Sequence, residues 1–517
     1  MSPDSGGPRY LCAGGARARA PTRGGRGGDR PMSGRPDAYE SSTSADGAAI
    51  RESGAEVTVV GGGPCGLAAA LAIARRGCSV RVLEAGQTVG GMAASPVIGG
   101  QRVDLGSHRL HPAAPEPVRA LLDELLGDDL QVRRRNGRVH LDGRWIPFPF
   151  GPMELVRSLP PGFAASALRD VATRPLRRVR DDSYAEIVRA GLGPTMLERF
   201  HGPMATKLWG CDPRELAGEL ARRRIPVNGP AGIARALARS VRRGGRTFLY
   251  PRLGYGQLGE RLAEAAVAAG VDVRTGAPVS GLRSIGGDTV ELTVGDRLGG
   301  GEERMSTTGR VMWTAPLDVL VRAAGAPADV RARAERLEHR GLALVYLVVP
   351  RAQYHGTDAH YVPDLDVPFS RLSEPKNYRD GADPADQTVL CAEVPLTTGD
   401  DDWHAPDGEL ADRVLDGMAR CGLEVPPVQA VEVLRLPRVY PVVTVHDPGA
   451  RAALLTWADG LPGVTTLGRQ GTFVADNVHH VLDMALGAAG CIGPDGTWDA
   501  AAWARERDRF DGFVVED

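Results

Sequence analysis

From Glu56 onward the chain alternates between short unbroken apolar runs and stretches whose apolar residues recur at helical spacing. Val57-Thr58-Val59-Val60 shows no polar alternation, the mark of a strand covered on both faces. A glycine-rich turn follows, then a segment with Leu67, Leu71 and Ala74 on one helical face, then Gly77 and a second strand, Ser79 to Leu83. Strand, glycine turn, helix and strand in that order predict the opening of a doubly wound parallel sheet.

Between about 110 and 250 the spacing is largely helical, interrupted by the proline-rich stretches Ile146 to Phe150 and Leu159 to Gly162. The helix Gln257 to Ala268, Gly270 and the strand Val271 to Arg274 return to the first texture. Short strands follow at Val290 to Val294 and Val311 to Thr314. A second interruption, about 335 to 430, opens on the strand-like Leu342 to Val349 and ends with a helix around Leu410 to Arg420. Val464 to Leu467 and a helix from Val478 then close the fold. Residues 1–54 carry almost no large apolar side chains and are expected to be a disordered tail, with Met32 a second candidate initiator.

Composition narrows the class. Apolar residues make up 42%, charged residues 24%, and the net charge is −2, which argues against nucleic acid as a partner. No apolar run approaches the roughly 18 residues of a membrane span. With no signal-peptide core either, the expected compartment is the cytoplasm. The run Trp145 to Phe150 with Met153, Leu155 and Val156 could form an apolar entrance resting on a membrane surface, although such runs are more often domain core. The seven cysteines are scattered without a C-x-x-C pair, so neither a disulfide framework nor a metal site is expected. Oligomeric state is not written in the sequence. Lysine occurs only at Lys207 and Lys376, a bias of the kind a GC-rich bacterial genome imposes. Arginine runs therefore lose force as evidence for anion sites, and a retained lysine gains some.

The candidate chemistry begins at Gly61-Gly62-Gly63-Pro64-Cys65-Gly66, a G-x-G-x-x-G directly after a strand and opening a helix. Gly61 makes the tight turn, Gly63 lets the backbone approach a pyrophosphate, and Gly66 lets helix and strand pack closely. Glu84 closes the second strand, where a carboxylate can accept ribose hydroxyls. FAD rather than NAD is argued by a second glycine pair, Gly90-Gly91-Met92, and by the distant Gly468-Arg469-Gln470-Gly471 with Asp476 and Asn477 as capping residues of the last helix. That helix N-terminus would point its positive end at the N1–C2 edge of the isoalloxazine and stabilise the anionic reduced flavin. The expected fold is α/β: a discontinuous Rossmann-like FAD-binding domain of the glutathione reductase type (55–110, 250–334 and 431–495) with an inserted α+β substrate domain (111–249 and 335–430) and a C-terminal extension (496–517).

In order along the chain, Glu84…Gly90-Gly91, Asp104 to Arg109, Lys207 to Gly210, Tyr250 to Gly256, Tyr440-Pro441 and Gly468 to Gly471 resemble bacterial FAD-dependent oxidoreductases of the flavin amine oxidase superfamily, proteins similar to protoporphyrinogen oxidase and UDP-galactopyranose mutase. The resemblance covers roughly Val57 to Cys491. It implies that Val279 holds the adenine through its backbone. One departure is Met92, where many relatives carry an arginine that contacts the cofactor.

Because flavin N5 itself accepts hydride, little is asked of side chains. His108 lies in a segment that rests against the flavin face in the resembling mutases, and is the candidate base; Arg109 and His111 follow it. Lys376 is the candidate for the lysine that some flavin amine oxidases hold near N5 through a water, whereas Lys207 is expected to pair with a carboxylate. Arg438 and Arg469 are candidates for bidentate contact with a diphosphate, Arg469 on the cofactor side. Arg438, Arg109 and Tyr440 are assigned to the substrate. The leading reading is a small-molecule oxidoreductase. A non-redox sugar-nucleotide mutase and a flavin-binding protein without turnover are the alternatives.

Overall fold

The computed structural model describes residues 56–112, 114–148, 159–224, 247–287, 289–295, 301–446 and 449–515. The expected disordered tail, 1–54, lies outside these, as do Met153, Leu155 and Val156 of the apolar run.

A five-stranded parallel sheet carries the nucleotide-binding texture, in the order Val464–Thr466, Val311–Trp313, Glu56–Val60, Ser79–Leu83, Asp272–Arg274. Its central strand is covered by the helix Pro64–Ala74 and, through Thr58 and Thr307, by the strand Glu302–Thr307, which explains the unbroken run without polar alternation there. The helix Pro64–Ala74 packs against the helices Val478–Gly490 and Gln257–Ala268. Its burial is not confined to the face of Leu67 and Leu71: Ala68, Ala69 and Ala70 are buried too, because small side chains let these two helices and the sheet close around it. Val279–Gly286, Thr289–Gly295 and Glu302–Thr307 form a three-stranded antiparallel sheet beside it.

Strands from both interrupting stretches meet in one seven-stranded sheet, ordered Ala430–Val442, Glu338–Val349, Thr388–Leu396, Arg371–Ser373, Ala359–Tyr361, Gly137–Leu141, Arg144–Phe148. Ala430–Val442, placed by the sequence reading with the nucleotide-binding part, is an edge strand of this sheet. It pairs antiparallel with Glu338–Val349, a partner some ninety residues upstream that no local pattern reveals. The described part of the apolar run is sheet packing: Ile146 is buried, and the Trp145 indole N–H donates to Cys421 O at 2.9 Å. The C-terminal helix Ala500–Asp511 lies against Val478–Gly490. Among the described residues no helix is long and apolar enough to cross a membrane, the cysteines are free, and no three metal-ligating side chains come together.

Candidate functional site

One cavity of about 640 Å³ runs from Val279 and Glu84 past Gly61, Gly63, Gly91 and Gly468 to His108 and Tyr440. It thus spans the tips of the five-stranded sheet and the face of the seven-stranded one.

The three motif glycines answer three different demands. Gly61 sits at φ +110°, in the left-handed half of backbone space, and a Cβ there would fall 2.3 Å from Thr314 Oγ1. A Cβ on Gly66 would sit 2.0 Å from Gly61 O, so helix and strand touch only because it is absent. A Cβ on Gly63 would meet no protein atom within 4 Å. Gly63 lines the cavity, so the space its missing side chain leaves is part of that cavity. Glu84 accepts the Gly62 and Gly86 backbone N–H groups, each at 2.6 Å, one on either carboxylate oxygen. That fixes the carboxylate at the cavity wall, with lone pairs left for hydroxyl donors. Gly90, at φ +102°, donates its N–H to Gly62 O at 2.8 Å and draws the Gly91-Met92 turn over the motif.

The other wall comes from the far end of the chain. Asn477 is the N-cap of Val478–Gly490, and Asp476, Asn477, Val478 and Val481 line the cavity. The helix therefore presents its N-terminal N–H groups to the cavity. Arg469 donates to Asp476 O (3.2 Å) and Val439 O (2.7 Å) and is held by burial below the usual arginine range. Gln470 Nε2 donates to Arg438 O at 2.9 Å, while its Oε1 and Asp476 Oδ2 are buried without a hydrogen-bond partner. Buried orphan acceptors at a cavity wall are costly unless a ligand supplies donors.

At the opposite end, His108 Nε2 lies 3.2 Å from Met92 O. Since a carbonyl only accepts, Nε2 carries the proton and Nδ1 is the free acceptor. Burial pushes the His108 pKa below its ordinary value against the pull of Asp104, which favours this neutral form. Arg109 lines the cavity, its guanidinium donating to Tyr361 Oη at 2.8 Å, paired with Asp358 at 3.2 Å and lying over the Phe248 and Tyr378 rings. Arg438 pairs with Asp318 at 3.0 Å. Burial raises the Tyr440 hydroxyl above its ordinary value. His111 also lines the cavity, 6.0 Å between ring centres from His479.

Two lysine expectations are corrected. Lys376 does not line the cavity: its ammonium donates to the carbonyls of Ala352, Pro384 and Gln387. Lys207 pairs with no carboxylate among the described residues and donates instead to the carbonyls of Val362, Asp364 and Phe369. The sequence reading also missed the pair at the cavity floor, Arg371 and Glu393, joined by two bonds of 2.8 and 2.7 Å. Glu393 further accepts the Ser107 N–H at 2.7 Å, so it positions the segment that carries His108. Arg371 was hidden by the general abundance of arginine. Glu393 sits mid-strand with no motif to flag it.

A glycine cradle open only to the cavity, a carboxylate fixed beside it, a capped helix N-terminus and orphan acceptors fit a long dinucleotide with a flat redox ring. Comparison with known proteins agrees. The model of the family described as flavin containing amine oxidoreductase matches residues 64–453, and one described as pyridine nucleotide-disulphide oxidoreductase matches residues 8–100. Protoporphyrinogen oxidase 2 of Arabidopsis thaliana is 38% identical over 109 residues, a match that spans 20% of this chain and 21% of that protein. Among solved structures, a reduced UDP-galactopyranose mutase superposes with TM-score 0.72 at 19% identity, covering 89% of this chain and 98% of the other. A putative protoporphyrinogen oxidase from Exiguobacterium sp. 255-15 gives 0.66 at 20% (84% and 98%), and cyclohexylamine oxidase from Brevibacterium oxydans IH-35A gives 0.60 at 18% (88% and 100%). At such identities these structures speak for the fold. The matched family model spans well over half of the sequence, and with it the chain belongs to the flavin-containing amine oxidoreductases and takes FAD as its cofactor.

Proposed function

We propose that the chain is an oxidoreductase of a small molecule with an apolar ring body. Bound FAD supplies the acceptor for a hydride leaving a C–H bond next to oxygen or nitrogen, or in a saturated C–C unit. Val279, Glu84, Gly61, Gly63, Gly91 and Met92 would hold the adenosine and pyrophosphate side, with Gly66 and Gly90 shaping the turns behind them; Gly468, Arg469, Asp476 and Asn477 would hold the other wall. His108, neutral and with Nδ1 as a free acceptor, takes the proton the substrate loses. Leu105, Leu342, Leu436 and Val439 exclude water around it, and Tyr440 and Arg109 orient the substrate.

The observation that carries the redox reading over a sugar-nucleotide isomerase is the state of the arginines. Arg109, Arg371 and Arg438 each line the cavity already paired with a carboxylate, Asp358, Glu393 and Asp318 respectively. A substrate diphosphate at any of these three would compete with a carboxylate already in place, and Arg469, which also lines the cavity, is engaged by the Asp476 and Val439 carbonyls. The oxidases among the similar proteins lend the same support.

The test is anaerobic mixing of the FAD-loaded protein with cyclic amines, a reduced tetrapyrrole and UDP-galactopyranose. Bleaching of the flavin absorbance by one of the first two classes is expected. Turnover of UDP-galactopyranose alone, and only after dithionite reduction, would overturn the reading.

A further inference from the structure

The residues after the last cofactor-facing helix reach back to its N-terminus. His480, in the first turn of Val478–Gly490, accepts the Asn477 backbone N–H on Nδ1 at 3.4 Å, and the same nitrogen lies 3.7 Å from Asp476 Oδ1. Phe513 stacks flat on the His480 ring, with centroids 4.5 Å apart and planes 14° from parallel. Arg223 joins Asp476 Oδ1 (3.3 Å) to Asp511 Oδ1 (3.6 Å), and its backbone carbonyl accepts the Val515 N–H at 2.6 Å. Arg509 holds Asp483 on the next turn of the same helix. Asp476 is fully buried, half-bonded, and on the cavity wall.

We propose that residues 511–515 are a positioning element of the FAD site: Phe513, through His480, and Asp511, through Arg223, hold the helix N-terminus and the Asp476 carboxylate in place and thereby set how strongly the site favours the reduced cofactor. The physical basis is charge. Reduced FAD carries more negative charge than oxidised FAD, so an N-terminus held towards the cavity favours it and an Asp476 freed from Arg223 disfavours it. The inference depends on the cofactor and not on the substrate reading.

Phe513→Ala and Arg223→Gln should each weaken the preference for reduced over oxidised FAD about tenfold, a fall of about 30 mV in the two-electron midpoint potential. Phe513→Tyr, which keeps a flat ring, should match the unaltered protein. Phe513→Leu keeps apolar bulk without the flat ring, should fold where Ala does not, and should shift the potential as Ala does. If Phe513→Leu melts earlier yet keeps the potential and flavin spectrum of the unaltered protein, or if Phe513→Tyr shifts the potential as Ala does, the segment is packing only and the proposal fails.

Discussion

Among single residues, Gly63 separates folding from binding. Its backbone is extended (φ −76°, ψ 176°) and its missing Cβ faces no protein atom, so Gly63→Val should fold normally but fill ligand space. Expected is protein with a near-native far-UV spectrum and no flavin colour; yellow, stoichiometric Gly63→Val protein would contradict the site. Gly66→Ala makes a control that fails differently, because its Cβ would strike Gly61 O and disturb the fold itself. His108→Ala should slow flavin reduction tenfold or more, within the roughly 10² to 10⁴ that a positioned base supplies. Its pH dependence follows from burial. A pKa below the ordinary histidine value keeps the ring neutral at pH values where a free histidine is already charged. The acid limb of kcat/KM should therefore lie below the ordinary histidine pKa, and a limb above it would argue against His108. The two lysines teach a related lesson. Their rarity was a sound sign that an ammonium is needed, yet each caps three converging carbonyls, which a compact three-donor group does and a planar guanidinium does not.

Elements show how those lysines act. Lys207 rises from the helix Gly202–Trp209 to tie down the 362–369 loop between two strands of the seven-stranded sheet. Burial pulls its pKa down to about 7 against the pull of the nearby Asp364 and Asp366 charges. Lys207→Met would take the ammonium from the buried Val362 and Phe369 carbonyls, while Asp364 O keeps the Val367 N–H at 3.3 Å, and a loss on the order of 2 kcal/mol is expected in urea unfolding. A change under about 0.5 kcal/mol would mean the carbonyls find water instead. The sheet's inner strands carry Arg371 and Glu393 to the cavity floor and, through the Ser107 N–H, fix the turn before His108. Strand texture here was legible, as in Leu342 to Val349, but strand partners were not. Alternation tells which residues share a face, never which strand lies beside them.

For the whole molecule, buried neutral histidines set the acid limit. Burial holds His360 at about 3 and His339 at about 4, both below the value they take in an unfolded chain. As pH falls below the ordinary histidine value, the unfolded chain binds protons that the folded one refuses, so stability drops. The melting temperature should decline by several degrees between pH 7 and pH 5. His360→Gln, which keeps His339, should lose less over that window than the unaltered protein, and an equal decline in the two would remove His360 as a source of the effect.

The nucleotide half of the site was readable because it is local. Gly61 to Gly66 is one turn, Glu84 ends the next strand, and the steric demands on those glycines act between neighbours in sequence. The resemblance carried the family, and Asp476-Asn477 before an apolar helical run announced a cap. Tertiary structure alone decided what lies opposite. It brought Asp358, Arg371 and Glu393 to the cavity floor, moved Ala430–Val442 into the larger sheet, took Lys376 out of the site, and folded Phe513 back onto His480. Backbone turns and caps are settled by contacts a few residues apart. Ion pairs across a sheet are settled by which strands become neighbours, and that choice belongs to the packing of the whole chain.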